Sequence, residues 1–310
     1  RALAIVHLAM YDAWNGARGI ANNYLNVRSG QNLLPAAPPP AASADTAAAS
    51  AAATALKVLF SRQAAYIESK MQEFCAGASV AGQSAQQKRD GQDYGRAVAQ
   101  ALLDFRAKDG SDAVDDYIAG DAPGQHRPDP YNPVQGYLGS RWGKVTPFCV
   151  NSPANGGLAT YINPPPSFTS QKYQDDFEEV REFGALERRL RTTTQELTGL
   201  YWAYDGAKGL GTPPRLYNQI VQQIAQDQNN TPDQNARLFA LINAGMADAG
   251  IVAWEAKYVY NFWRPIIGVR EDDEGTGPSG LGTGSAADGD PFWRAYGAPA
   301  SNQPGAINFT

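Results

Sequence analysis

The chain has 310 residues and predicts an all-α protein, a helical bundle. Three observations carry that reading. Apolar residues recur at helical spacing, as in Ala4, Ile5, Leu8 and Ala9, an interval that lines one face of a helix. Caps and prolines bracket these segments. No run alternates apolar and polar residues beyond a few positions, so no sheet is expected, and no internal repeat has a fixed period.

Residues 1–17 read as a first amphipathic helix, ended by Gly16 and Gly19. A linker with Pro35, Pro38, Pro39 and Pro40 leads to an alanine-rich helix, from a Ser43 or Asp45 cap to about Phe60. Short helices are expected near 62–76 and long ones near 83–108. Residues 109–170 are rich in Gly, Pro, Asp and Asn and hold Trp142 and several tyrosines. A connection of that length usually forms a functional or packed surface loop. Helices return near 171–184, 192–205 and 214–227. Thr231-Pro232-Asp233 supplies an N-cap, a first-turn proline and an acid suited to the helix dipole. It launches the longest helix, through Leu238, Leu241, Ile242, Ala249, Val252 and Ala256 to Trp263, where Pro265 stops or kinks it. Residues 271–290 are an acidic, Gly-rich loop. The chain opens at Arg1 inside a helical pattern without a cap and stops at Thr310 without a closing element, so an excerpt of a longer protein is expected.

Composition narrows the function. Hydrophobic residues make up 43% of the chain, enough for a sizeable core, and 26 basic against 31 acidic residues leave a net charge of −5. That balance argues against nucleic acid as a partner. No unbroken apolar run is long enough to span a membrane. Cys75 and Cys149 are the only cysteines, and nothing in their spacing demands a disulfide. Without a CxxC pair, structural zinc is not expected. The two histidines, His7 and His126, read as a packed structural residue and an exposed loop residue.

The chemistry points to Lys257 and Arg264, seven positions apart in Trp254-Glu-Ala-Lys257-Tyr-Val-Tyr-Asn-Phe-Trp263-Arg264-Pro265. On one continuous helix they would share a stripe, roughly 10 Å apart. Neither has an acidic residue at helical reach, and Glu255 points elsewhere. Such a pair repels by roughly 1–2 kcal/mol at an effective dielectric near 20, so an anion should sit between them. The plainer alternative is that both compensate the negative end of a helix dipole. Trp254, one turn before Lys257, is either core packing or the wall of a pocket.

Here the sequence resembles the vanadium-dependent haloperoxidases, of the acid phosphatase/haloperoxidase superfamily. The family motif is Lys, six residues, then Arg-Pro, and Lys257 to Pro265 matches it. Asp248-Ala-Gly-Ile-Val-Ala-Trp254, Ile267-Gly-Val-Arg270-Glu-Asp-Asp, Gly289-Asp-Pro-Phe-Trp293 and Gly297-Ala-Pro-Ala-Ser-Asn302 look like the fungal-type chloroperoxidase branch. So do His7-Leu-Ala-Met-Tyr-Asp12 and Leu210-Gly-Thr-Pro-Pro-Arg215. The resemblance implies two four-helix bundles in the intact family, with the second incomplete here. Residues 1–170 would be an N-terminal helical region and 171–310 the start of the catalytic bundle.

It further implies a vanadate cofactor, with no zinc, haem or nucleotide. Hydrogen peroxide and halide would be substrates, and hypohalous acid the product. Lys257 would bind an oxygen and activate peroxide, Arg264 would neutralise further oxygens, and Trp254 would wall the halide pocket. Two other family motifs, Pro-Ser-Gly-His and Ser-Arg, five residues, His, do not occur in the sequence. Pro278-Ser279-Gly280 is followed by Leu281 and takes no role. The axial histidine is therefore expected beyond Thr310, and the chain alone is expected to be inactive. Glu196 and Asp205 could orient an arginine of that further segment. The acidic stretch from Glu271 to Glu274 reads as a solvated loop rather than a calcium site. The alternatives are an acid phosphatase of the same superfamily and a non-catalytic helical protein.

Overall fold

A computed structural model describes residues 1–20, 23–128, 134, 136–154, 157–187, 190–203, 212–271, 290, 292–298 and 307–308. The chain divides into two compact units. The first comprises Arg1–Asp112, Lys144–Ser152 and Tyr217–Ile251, and the second Ala113–Gly143, Pro153–Leu216 and Val252–Thr310. The helices are α1 (Ala2–Arg18), α2 (Tyr24–Ser29), α3 (Ala44–Leu59), α4 (Ala64–Ala76), α5 (Ala85–Phe105), α6 (Gln171–Phe183), α7 (Thr193–Trp202), α8 (Pro213–Asp227), α9 (Pro232–Tyr260) and α10 (Pro265–Glu271). Gly297–Ala298 and Ile307–Asn308 form a two-residue parallel pairing. The all-α expectation is met. Two short helices, α2 and α10, go beyond the sequence reading.

In the first unit, α1, α3 and α5 pack together. The alanines of α3 bring its backbone close to α5: a Cβ on Gly95 would lie 2.1 Å from the Ala47 carbonyl oxygen. Two α3 hydroxyls hydrogen-bond α5 carbonyls, Thr46 to Lys88 at 3.1 Å and Ser50 to Gln92 at 2.8 Å. Ser43 caps α3, accepting from the Thr46 amide. Gly16 lies inside α1 rather than ending it, and the Tyr94 hydroxyl takes the space a side chain there would fill. Gly19, in the left-handed conformation, is the true stop.

Two buried carboxylates organise loops in this unit. Asp12 accepts from the Tyr24 and Leu25 amides that open α2, at 2.6 and 2.9 Å. Asp248 accepts from the amides of Phe148, Cys149 and Val150 at 2.6, 2.7 and 2.9 Å. Cys75 and Cys149 are free thiols. His7 stacks on Phe239 with centroids 5.6 Å apart, the packed role expected of it. Burial lowers its pKa to about 4.

By length and composition, the 29-residue α9 is apolar enough to cross a membrane. Its polar groups are nonetheless satisfied inside protein. Asp248 holds the three amides, and Asn243 exchanges hydrogen bonds with Asn218 at 2.9 Å. Such contacts tie these two polar groups to neighbouring segments, although only 33% of the apolar stretch is buried.

In the second unit, Tyr173 and Phe177 of α6 share one core with Ile266, Ile267 and Val269 of α10 and with Trp263 and Trp293. Glu271, expected in a solvated loop, ends α10 and pairs with the buried Arg127. Glu274 lies outside the described residues.

Candidate functional site

The long helix stops earlier than its sequence pattern predicts. α9 ends at Tyr260, and Asn261 takes the left-handed conformation at φ 49, its amide bonding the Lys257 carbonyl at 3.1 Å. Asparagine tolerates this conformation better than most residues, and Pro265 bars Arg264 from easy helical geometry. Arg264 therefore does not share a helical stripe with Lys257. It opens α10, its carbonyl accepting from the Ile267 and Gly268 amides at 2.9 and 3.1 Å. The dipole alternative fails for Arg264 as well, since a helix N-terminus disfavours a cation.

The break nevertheless leaves both cations lining one cavity of about 320 Å³ in the second unit. Trp254, Tyr258, His126 and Tyr137 line it too. Among the described residues, no carboxylate pairs with Lys257 or Arg264. Glu255 turns toward Gly143 and Gly157 instead. The Lys257 ammonium lies over the Trp254 indole, 4.3 Å from its centroid. Burial, and then Arg264, holds the Lys257 pKa below its usual value.

The connection expected at 109–170 builds the rest of the wall. The His126 amide bonds the Asn261 carbonyl at 2.9 Å, and the Trp263 amide bonds the Gly124 carbonyl at 2.8 Å. The Tyr117 hydroxyl bonds both the His126 carbonyl, at 2.8 Å, and the Asn261 side chain. The Leu138 carbonyl accepts from the Trp254 indole at 3.0 Å and from the Tyr258 hydroxyl at 2.9 Å. Gly139 beside it has φ 75, and a Cβ there would fall 2.6 Å from the Trp254 nitrogen, so only glycine fits. Asp115 fixes this turn, accepting from the Gly139 amide at 2.8 Å and the Ser140 hydroxyl at 3.0 Å.

His126 is thus not the exposed loop residue the sequence indicates. It is half-buried, and burial together with Arg264 and Lys257 lowers its pKa, favouring the neutral imidazole. Tyr137, not singled out from sequence, has a buried hydroxyl without a partner, and burial raises its pKa. The signal available was only the aromatic content of an unusually long connection. Glu196 lies in the first turn of α7, 3.8 Å from Arg191. Asp205, Ser279 and Gly280 fall outside the described residues.

Comparisons with known proteins report what the chain is similar to. Residues 237–307 match the family model of the VCPO second helical-bundle domain. A vanadium chloroperoxidase of Curvularia inaequalis is 46% identical over 127 residues, which is 38% of this chain and 19% of that protein. The chain thus spans under a fifth of that curated relative in the match. A bacterial vanadium-dependent iodoperoxidase structure superposes with TM-score 0.71 at 21% identity, covering 88% of this chain and 66% of that one. A bacterial vanadium-dependent chloroperoxidase in its holo form gives TM-score 0.57 at 14% identity, covering 87% and 62%. Residues 237–307 thus match that domain's family model, and over most of its length the chain shares the fold of these vanadium-dependent haloperoxidase structures.

Proposed function

We propose that this chain forms part of a vanadate-dependent haloperoxidase, in which Lys257 and Arg264 bind the oxygens of the oxyanion. The observation that carries the reading is their convergence on one cavity without a carboxylate among the described residues. The donor set fits the group. Arginine offers a planar fork for two oxygens, and lysine a compact charge for a third. A vanadate held here would supply a Lewis acid that activates hydrogen peroxide toward halide. The chain's own residues bind and orient. Arg264 neutralises oxygen charge, Lys257 donates a hydrogen bond to an oxygen, and Trp254 and Tyr258 restrict water on one side. Residues 171–310 would be the opening part of the catalytic bundle.

Titration of the 310-residue chain with orthovanadate, followed by calorimetry or ⁵¹V NMR, tests the reading. Lys257→Ala and Arg264→Ala should each weaken binding roughly 10- to 100-fold, the usual worth of a hydrogen bond to a charged group. Equal affinity in wild type and both variants would remove the proposal. Bromide or chloride oxidation is expected only from protein that also carries the two histidine motifs of the family. Vanadate-free hydrolysis of a phosphate monoester by such protein would favour the phosphatase alternative.

A further inference from the structure

The cavity holds a donor that the Lys257–Arg264 pair does not explain. The Tyr137 hydroxyl is buried and has no hydrogen-bond partner. A buried hydroxyl without a partner is costly, and such groups normally find one. Among the described residues lining the cavity, none hydrogen-bonds the Tyr137 hydroxyl. The Trp254 indole and the Tyr258 hydroxyl are spent on the Leu138 carbonyl, and no lining residue carries a carboxylate. Arg127 is already neutralised by Glu271.

His126 stands in the same position. Its ring packs edge-on against Tyr137, centroids 5.5 Å apart. Its backbone is pinned to Asn261, so the ring is held at the cavity rather than free to leave. Among the described residues, neither ring nitrogen has a hydrogen-bond partner. A neutral imidazole always carries one N–H donor.

We propose that Tyr137 and His126 are anion-binding residues of this site, each donating a hydrogen bond to an oxygen of the tetrahedral oxyanion held by Lys257 and Arg264. The inference rests on the oxyanion reading above and extends it to the 113–143 connection. A guanidinium fork, an ammonium, a hydroxyl and an imidazole N–H supply donors enough for the four oxygens of a tetrahedral guest. A planar, singly charged anion such as nitrate keeps its oxygens in one plane and matches donors converging on a tetrahedral guest less well. The connection thus acts as a discriminating wall, and its Asp115–Gly139 and His126–Asn261 ties keep the donors in register.

The test is titration of the full chain with orthovanadate, inorganic phosphate and nitrate. Wild type is compared with Tyr137→Phe, His126→Gln, His126→Ala and Lys257→Ala, and the anion-free stability of each is measured by urea denaturation. Tyr137→Phe removes only the unpartnered hydroxyl. It should leave anion-free stability unchanged or raised, yet weaken vanadate and phosphate binding about 5- to 10-fold. His126→Ala should weaken binding similarly, with His126→Gln, which keeps a donor, recovering part of the loss. Preference for vanadate over nitrate should shrink in Tyr137→Phe. Wild-type affinity in both Tyr137→Phe and His126→Ala, beside a loss in Lys257→Ala, would overturn this inference alone. A purely structural role would instead lower the anion-free stability of Tyr137→Phe at unchanged affinity, and that result also refutes it. No binding of either tetrahedral anion to wild type would take down the oxyanion reading, and this inference with it.

Discussion

The backbone amide of His126 donates to the carbonyl of Asn261 at 2.9 Å, binding the irregular connection to the point where α9 breaks. That break depends on Asn261 holding φ 49. Asn261→Val should destabilise by about 1–2 kcal/mol for the left-handed backbone alone. Asn261→Gly relieves the backbone and should cost only about 1 kcal/mol, for the lost Tyr117 hydrogen bond. Urea midpoints of the two variants check the order. A valine variant as stable as the glycine variant would contradict the assignment.

Close approach of α3 and α5 makes a second prediction. Gly95→Ala places a methyl 2.1 Å from a backbone oxygen that cannot rotate away, so a loss of about 1–3 kcal/mol is expected. Gly245→Ala is the contrast. It sits within α9, and a Cβ there meets nothing within 4 Å. Helix propensity should make that variant more stable by about 0.5–1 kcal/mol. Thermal melts that shift in the same direction for both would reject the packing argument.

Asp248 holds three consecutive amides of the 148–150 segment. Asp248→Ala leaves all three without their acceptor and should cost about 3 kcal/mol or more. Asp248→Asn keeps one acceptor oxygen and should lose clearly less. Chemical denaturation of both variants decides the matter, and indistinguishable midpoints would show that the carboxylate is not what orders the segment.

His7 gives the first unit an acid sensitivity of defined sign. Its pKa is lowered from 6.5 to about 4 by burial, so the folded state resists protonation that the unfolded state accepts. Its contribution is fully present above about pH 6.5 and is lost as pH falls toward about 4. A tenfold weaker hold on the proton corresponds to about 1.4 kcal/mol, so the whole effect is on the order of 3 kcal/mol at most. His7→Phe should keep the stacking on Phe239 while flattening the stability profile between these limits. An unchanged acid limb in that variant would exclude His7 as the cause.

Most helices were legible in the sequence because their signals are local. Ser43, Thr231 and the prolines mark starts and stops wherever they occur, and apolar spacing commits α1, α3, α5 and α9 to helix. The pairing of Lys257 with Arg264 was legible as a motif, but its geometry was not. Pro265 signals a stop, but the apolar run to Trp263 carries the periodic pattern past Asn261, whose left-handed backbone ends the helix.

Local chemistry along the chain suffices for the all-α class, the positions of most of the longer helices and the identity of the two cations, since each follows from neighbours within one or two turns. Long-range packing gives Glu271 to Arg127 and brings His126 and Tyr137 to the cavity beside the cations. Those contacts link residues up to 144 positions apart, as between Tyr117 and Asn261. No local periodicity encodes which distant loop a buried hydrogen bond will choose.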